Sequence, residues 1–278
     1  MKIALIGLGT TGKIVAEYLL KEKVLAMVFC RKGSSQAGKD LGEILHRPNT
    51  GITVESTEDL EEKLLQVRPD VLIDFSSPQF LSENLGILAK CGVNVVSAVT
   101  GYSEMDMRRI KLVAENRRFG VVLAPNITYG VNVMMIMAQI AAQLHEDYDF
   151  QIIEENHKNK KDSPSGTAKK IAATILSTLD EMEEKAVPIH SIRAGDIAGR
   201  HRLLICGKHD QIEITHTAFS RVAFAEGAYK AAKFIVGRRG LYEMKDVFRI
   251  QKEQQEEEQW ENSLCYKEEA GEVQSYGM

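Results

Sequence analysis

The sequence predicts an α/β protein, with a doubly wound parallel sheet in its N-terminal half and an α+β domain on a mixed sheet after it. Three observations lead there. Apolar runs rich in β-branched residues recur at 2–6, 25–29, 71–75, 93–97 and 121–123, the pattern of strands buried on both faces. Between them, 12–23, 57–67, 79–91 and 103–116 carry apolar residues at helical spacing, and strand–helix alternation builds a parallel sheet. After Pro125-Asn126 the rhythm changes: a Met-rich helix (131–144), a strand (150–155), a polar loop, a helix (165–181) and three closely spaced strands (189–196, 201–206, 211–216) suited to antiparallel pairing. A helix over 220–236 and a break at 237–240 follow, and 241–248 is expected to pack back on the first unit. The expected organisation is 1–126 with 237–250, then 127–236, then an acidic tail over 251–278.

Gly7-Leu8-Gly9-Thr10-Thr11-Gly12 follows the first strand and opens the first helix, the context that makes a Rossmann-type dinucleotide site of a glycine motif. Gly7 and Gly9 suit a tight turn and close approach of a pyrophosphate, and Gly12 suits close packing of helix on strand. Thr10 and Thr11 sit at the helix N-terminus, where free N–H groups and the helix dipole favour phosphate. The alternative is a turn with no ligand. The second strand ends at Cys30, where an NAD site carries Asp or Glu for the ribose hydroxyls. Arg31, Lys32, Ser34 and Ser35 follow and suit a 2′-phosphate, so NADPH is expected, with NADH as the alternative cofactor; Arg31 and Lys32 could instead belong to an ordinary surface loop. The loops at 76–78 and 98–102 end predicted strands and are expected to line the nicotinamide.

Composition narrows the classes. Apolar residues make up 44% and charged residues 27% of 278 positions, a globular balance. The net charge of −4 lies in the last 28 residues, which hold eight Glu and two Lys; the mildly basic remainder suits a small anionic molecule and carries no stripe for nucleic acid. No apolar run approaches the roughly 20 residues that span a bilayer, and a strand begins directly after Met1-Lys2, so a cytoplasmic protein without membrane contact is expected. Cys30, Cys91, Cys206 and Cys265 lie far apart and read as reduced thiols. No metal is expected: His201, His209 and His216 lack ligand spacing and read as structural. Met134, Met135 and Met137 read as core packing.

The stretch 154–168, Glu-Glu-Asn-His-Lys-Asn-Lys-Lys-Asp-Ser-Pro-Ser-Gly-Thr-Ala, carries the most chemistry. Ser165, Gly166 and Thr167 would offer hydroxyls and N–H groups at a helix start, a site for a carboxylate. His157 and Lys160 add charge and transferable protons. The alternative is a capped helix behind a solvated basic loop.

This stretch resembles the signature loop of the dihydrodipicolinate reductase family, Glu-x-His-His-x-x-Lys-x-Asp-x-Pro-Ser-Gly-Thr. The resemblance extends to Asp74-Phe75-Ser76, Pro125-Asn126, Gly130-Val131-Asn132, 193–196, 214–216, Ser220-Arg221 and 240–247. It implies an NAD(P)H-dependent reductase of lysine and diaminopimelate biosynthesis that passes hydride to a cyclic, imine-conjugated dicarboxylate. It further implies a homo-oligomer, a tetramer, assembled through the second sheet. By position, His157, Lys160, Ser165, Gly166, Thr167 and Thr100 would hold the substrate. Phe75, Ser76, Thr100 and Asn126 would join the glycine turn at the cofactor. Lys160 and Asn156 occupy the catalytic positions, with Lys160 as leading proton donor.

Three departures bear on chemistry. Asn156 stands where the family has the first histidine of its pair, and an amide transfers no proton at neutral pH. Ala98-Val99-Thr100-Gly101 replaces Gly-Thr-Thr-Gly, and Thr10-Thr11-Gly12-Lys13 replaces Gly-Arg-Met-Gly. They fit either a reductase that finds its proton elsewhere or a paralogue with another unsaturated or imine substrate. A nucleotide-binding sensor without turnover, or an interaction protein using the acidic tail, are the readings from other classes.

Overall fold

A computed structural model describes residues 1–116, 119–144, 147–179 and 186–248. The acidic tail, with Cys265, and the end of the helix expected to reach 181 lie outside the described residues. The first unit runs β1 (Ile3–Ile6), α1 (Thr10–Lys21), β2 (Leu25–Cys30), α2 (Leu41–Leu45), β3 (Val54–Ser56), α3 (Leu60–Val67), β4 (Val71–Asp74), α4 (Pro78–Cys91), β5 (Asn94–Ser97), α5 (Glu104–Asn116) and β6 (Gly120–Leu123). The second runs α6 (Tyr129–Leu144), β7 (Asp149–Asn156), α7 (Gly166–Leu176), β8 (Ile189–Arg193), β9 (Arg200–Cys206) and β10 (Gln211–Thr217). The chain then returns through α8 (Val222–Ile235) and β11 (Gly240–Glu243).

The first sheet has seven parallel strands in the order β11-β6-β5-β4-β1-β2-β3. Every residue of β1, β4 and β6 is buried, because helices cover both faces; this is why those strands read as unbroken apolar runs. Strand order reverses between β1 and β4, which opens a crevice beyond their C-terminal ends. Two elements carry no sequence signal. β3 has three residues and α2 five, too few for a period, and α2 is held by Asp40, whose Oδ1 accepts from the Gly42 N–H at 2.7 Å.

The second sheet, β10-β9-β7-β8, pairs β8 parallel to β7 and the rest antiparallel. β7 alternates strictly, burying Phe150, Ile152, Glu154 and Asn156 on one face. Phe150 and Ile152 pack on α6 and α7 residues such as Met134, Ala138, Ile171 and Ile175, so the same face passes from apolar core to polar floor along one strand. Met134 and Met135 are buried as expected, but Met137 is 47% exposed, on an outer face of α6 with Val133, Ile136 and Ile140.

Residues 241–248 do pack back on the first unit, where β11 becomes the seventh strand beside β6. The expected boundary at 236 needs correction. α8 buries Ala225, Ala228, Ala231 and Ile235 in the core of the first sheet with Ile3, Val15 and Val96, because its small residues let it lie close against α1 and the strands. The chain therefore returns to the first unit before α8.

Gly227 sits where a Cβ would lie 1.9 Å from the Ile127 carbonyl oxygen, whereas Gly86, on the exposed side of α4, faces open space. Urea unfolding should accordingly show Gly227→Ala destabilised by about 3 kcal/mol from overpacking. Gly86→Ala should be stabilised by about 0.5–1 kcal/mol, since the unfolded chain loses freedom at a compatible helical position.

Candidate active site

Two cavities meet at the N-terminus of α1. One, of about 740 Å³, is lined by Gly7, Gly9, Cys30, Arg31, Lys32, Ser34, Phe75 and Ser76; the other, of about 930 Å³, by Thr10, Thr11, Thr100, Asn126 and the residues of the 156–167 loop. The sequence-expected cofactor residues thus fall along one path. Gly7 has φ +95° and packs so tightly on the Phe75–Ser76 peptide that a Cβ would lie 2.5 Å from the Phe75 carbonyl oxygen. Gly12 lines neither cavity: a Cβ there would lie 1.7 Å from the Gly7 carbonyl oxygen, so this glycine seats the helix on the turn. At Gly9 an added Cβ meets nothing within 4 Å, and no side chain caps α1. An open helix N-terminus over a glycine-rich turn fits a pyrophosphate, which those N–H groups and the helix dipole would hold.

At the far end of that path Cys30 is buried and Arg31 is exposed, with no ion pair among the described residues. Lys32 is already engaged with Glu58 at 2.7 Å. Ser76 is not a free ligand either: its N–H and hydroxyl donate to Asp74 at 2.8 and 2.5 Å. Asp74 is fully buried at the end of β4, and desolvation pushes its carboxyl up to about 6, against the hydrogen bonds from Ser76 and Ser97. Ser97 in turn meets the Tyr102 hydroxyl at 2.7 Å. This chain of bonds shapes the two loops that flank the crevice.

The larger cleft lies between the two sheets. Its floor is a polar row set by strand register: Ser191 of β8 opposite Glu154 of β7, Glu154 opposite His201 of β9, and His201 opposite His216 of β10. Glu154 has no exposed surface. Its Oε1 accepts from the Ser165 N–H (2.9 Å), the Ser191 hydroxyl (2.6 Å) and Arg193 Nη2 (2.7 Å), and its Oε2 from Asn156 Nδ2 (3.3 Å). Burial alone would raise its pKa, but the donors from Ser165, Ser191 and Arg193 outweigh it and hold the carboxyl down at about 2.

Asn156, His157, Lys160, Ser165, Gly166 and Thr167 all line this cleft, but not all are free for a ligand. Ser165 is buried, caps α7 by accepting from the Ala168 N–H at 3.1 Å, and spends its own N–H on Glu154. Its hydroxyl oxygen thus holds the helix start. Thr167 donates to Asn126 Oδ1 at 2.6 Å, joining α7 to the segment after β6. Lys160 Nζ pairs with Asp162 at 2.8 Å.

Two of the three histidines read from the sequence as structural lie at the cleft. His201 and His216 both line the cleft, stacked with ring centroids 6.3 Å apart; only His209 sits on an exposed turn away from it. Their sequence spacing matches no ligand pattern, and it is the β9–β10 register that brings them together. Lys170, Arg221 and Phe224 also line the cleft without having been singled out for it; Ser220-Arg221 had been legible only as part of the resemblance.

Comparison with known proteins agrees with this geometry. Residues 1–127 match the family model described as dihydrodipicolinate reductase, N-terminus, and residues 130–248 the one described as dihydrodipicolinate reductase, C-terminus. The 4-hydroxy-tetrahydrodipicolinate reductase of Methanosarcina mazei is 39% identical over 76% of this chain and 84% of its own. That of Ralstonia nicotianae is 37% identical over 89% of this chain and 99% of its own. Among solved structures, a dipicolinate-bound dihydrodipicolinate reductase from Paenisporosarcina sp. TG-14 shares the fold with a TM-score of 0.70 at 23% identity, covering 87% of this chain and 97% of that one.

Removing one side of the Glu154–Arg193 contact leaves a buried charge alone. Glu154→Ala should cost about 3 kcal/mol at pH 7 in urea unfolding. The sign with pH follows from a depressed folded-state pKa: Glu154's contribution is complete above the ordinary glutamate value near 4.5 and is lost as pH falls through about 2. The gap between wild type and Glu154→Gln should therefore narrow over that window and stay constant from pH 5 to 7.

Proposed function

The chain belongs to the dihydrodipicolinate reductase family, the pyridine-nucleotide-dependent reductases of lysine and diaminopimelate biosynthesis, and on that premise we propose that it reduces a cyclic, imine-conjugated dicarboxylate with NADPH as its preferred donor. One observation carries the reading: the α1 N-terminus, with Thr10 and Thr11, opens into the same cleft as His157, Lys160 and the start of α7. A dinucleotide laid along the glycine turn would bring its nicotinamide beside Thr100 and Asn126, facing those cations. When bound, the dinucleotide supplies a hydride.

The chain's own residues do the rest. His157, Lys160 and the N–H groups of Gly166 and Thr167 receive the substrate carboxylates, with Lys160 exchanging its contact to Asp162 for one to the ligand. Gly7, Gly9, Thr10 and Thr11 hold the pyrophosphate. Arg31 meets the 2′-phosphate, since it has no ion pair among the described residues and no carboxylate stands at Cys30 to receive ribose hydroxyls. Phe75, Ser76 and the Asp74–Ser97–Tyr102 chain keep the crevice open at the switch point. Asn156 offers an amide and no proton. The exposed apolar face of α6 and the outer strand β10 suit a homo-oligomer, a tetramer as in the family resemblance, and the protein is assigned to the cytoplasm.

A second reading is favoured by Asn156, which lines the cleft where the family pattern has a histidine: the cleft is less protic than that pattern, which suits a paralogue with a related cyclic imine.

The deciding assay follows NADPH and NADH oxidation by purified protein with freshly generated dihydrodipicolinate precursor. The expected result is turnover that favours NADPH by about tenfold, one charge-assisted contact, and loses that preference in Arg31→Ala. Dipicolinate should compete with substrate, and Lys160→Ala should raise KM. Tight NADPH binding and dipicolinate binding without turnover would overturn the substrate assignment in favour of the paralogue.

A further inference from the structure

We propose that His201 is the proton donor to the reduced ring, occupying the chemical role that Asn156 leaves vacant, with His216 as its neighbour at the cleft mouth. The proposal rests on the reading of the cleft as a reductase site.

Several observations converge on His201. Its side chain is 6% exposed, lines the cleft, and has no hydrogen-bond partner on either ring nitrogen among the described residues. Around it Glu154 is engaged with four donors, Ser165 with its helix and Glu154, and Asn156 with Glu154, while His216 leaves Nδ1 and Arg193 leaves Nε without a partner among the described residues, so His201 alone has both side-chain nitrogens idle. An imidazole buried with both nitrogens idle costs free energy unless a ligand completes it. Position agrees. Glu154 and His201 are opposite in register, so Asn156, two residues further along β7 on the same buried face, is diagonal to His201, a separation of roughly 7–8 Å between such positions. Gly199 lies beside Asn156: a Cβ there would make ordinary contact with Asn156 Oδ1 at 3.6 Å. His216 lies against Gly130, where a Cβ would sit 2.6 Å from its ring. By contrast, the Lys160 ammonium is turned onto Asp162 at the side of the cleft.

The groups facing His201 are Glu154, His216, Lys160 and Arg193. Burial holds its pKa down at about 4, against the attraction of Glu154, so the ring is neutral while the cleft holds no anion. A dicarboxylate brings negative charge into that enclosed space and favours the imidazolium, which means that ligand binding draws in the proton the reaction needs. In the step itself, hydride adds to the ring carbon β to the imine. The C=C pair shifts towards the imine carbon, and the C=N pair moves to nitrogen. The His201 N–H bond then breaks as its proton joins the α-carbon, and the nitrogen pair restores C=N. One hydride and one proton are consumed, and His201 is left neutral, to be recharged when the next ligand binds.

The first test needs no turnover. Calorimetry of dipicolinate binding in buffers of different ionisation enthalpy should show uptake of about one proton per site near pH 7 in wild type and in His209→Asn, on an exposed turn away from the cleft, and none in His201→Asn. The second is kinetic. His201→Asn should lower kcat about 100-fold with KM little changed, and Asn156→His in the same chain should recover at least tenfold of the loss. A purely structural histidine would not be rescued from a diagonal strand position. Should His201→Asn fold poorly, His201→Gln serves with the same expectations. Unchanged proton uptake, or a kcat within a factor of three of wild type in a variant that still binds dipicolinate, overturns the proposal. A wild type that turns over but takes up no proton also overturns it, while leaving the reductase reading intact; a wild type that binds neither NADPH nor dipicolinate removes both.

Discussion

A carboxylate buried at the end of β7 organises the second half of this molecule. Glu154 is enclosed on every side, and its charge is tolerable because β7, β8 and the α7 N-terminus each contribute a donor to it. The cost of burying an ion makes that constraint strict, since loss of any donor leaves part of the charge unsatisfied. Ser165 cannot leave the start of α7 without releasing Glu154, and Arg193, which also donates to the Asp162 carbonyl at 2.6 Å, ties down the loop that carries Lys160. The position of the cationic loop over the cleft therefore follows from one satisfied carboxylate beneath it.

The first sheet supplies the complementary constraint, which is steric. The turn between β1 and α1 presses on the turn after β4 at backbone contact distance, with Gly7 on Phe75 and Gly12 on Gly7. That contact leaves the helix N-terminus uncovered and aimed at the crevice where strand order reverses. Asp74 sits beneath it as a second buried carboxyl, but with only hydroxyl and N–H donors and no cation. Its pKa moves up where that of Glu154 moves down: desolvation outweighs the neutral donors at Asp74, whereas at Glu154 the donors, Arg193 among them, outweigh desolvation. Thr167 and Asn126 then join the two halves through a hydrogen bond beside the cleft, and Lys170 pairs with Glu243 of β11 at 3.7 Å.

The departures from the family pattern are local. Asn156 still donates to Glu154, so exchanging an imidazole for an amide at this position preserves the buried network while removing a titratable group from the floor. An imidazole pair remains one diagonal away in the sheet. A site can in this way keep its charge architecture and redistribute the group that handles protons.

By itself the sequence determined five strands of the first sheet (β1, β2, β4, β5 and β6), because strands buried on both faces must be apolar throughout and the glycine turn has steric requirements that few residues meet. It also determined which loop carries the cations, since Ser165, Gly166 and Thr167 mark a helix start from local chemistry alone. Tertiary structure decided what depends on register and on contacts distant in the chain. The row Ser191–Glu154–His201–His216 spans four strands and has no signature along the sequence. The return of α8 to the first core rests on small residues meeting a distant helix. The Ser76 hydroxyl is engaged by a buried carboxylate, and Ser165 gives its N–H to Glu154 while its hydroxyl caps α7. Local pattern reports what a residue can do, whereas only packing decides which of its hydrogen bonds are already made.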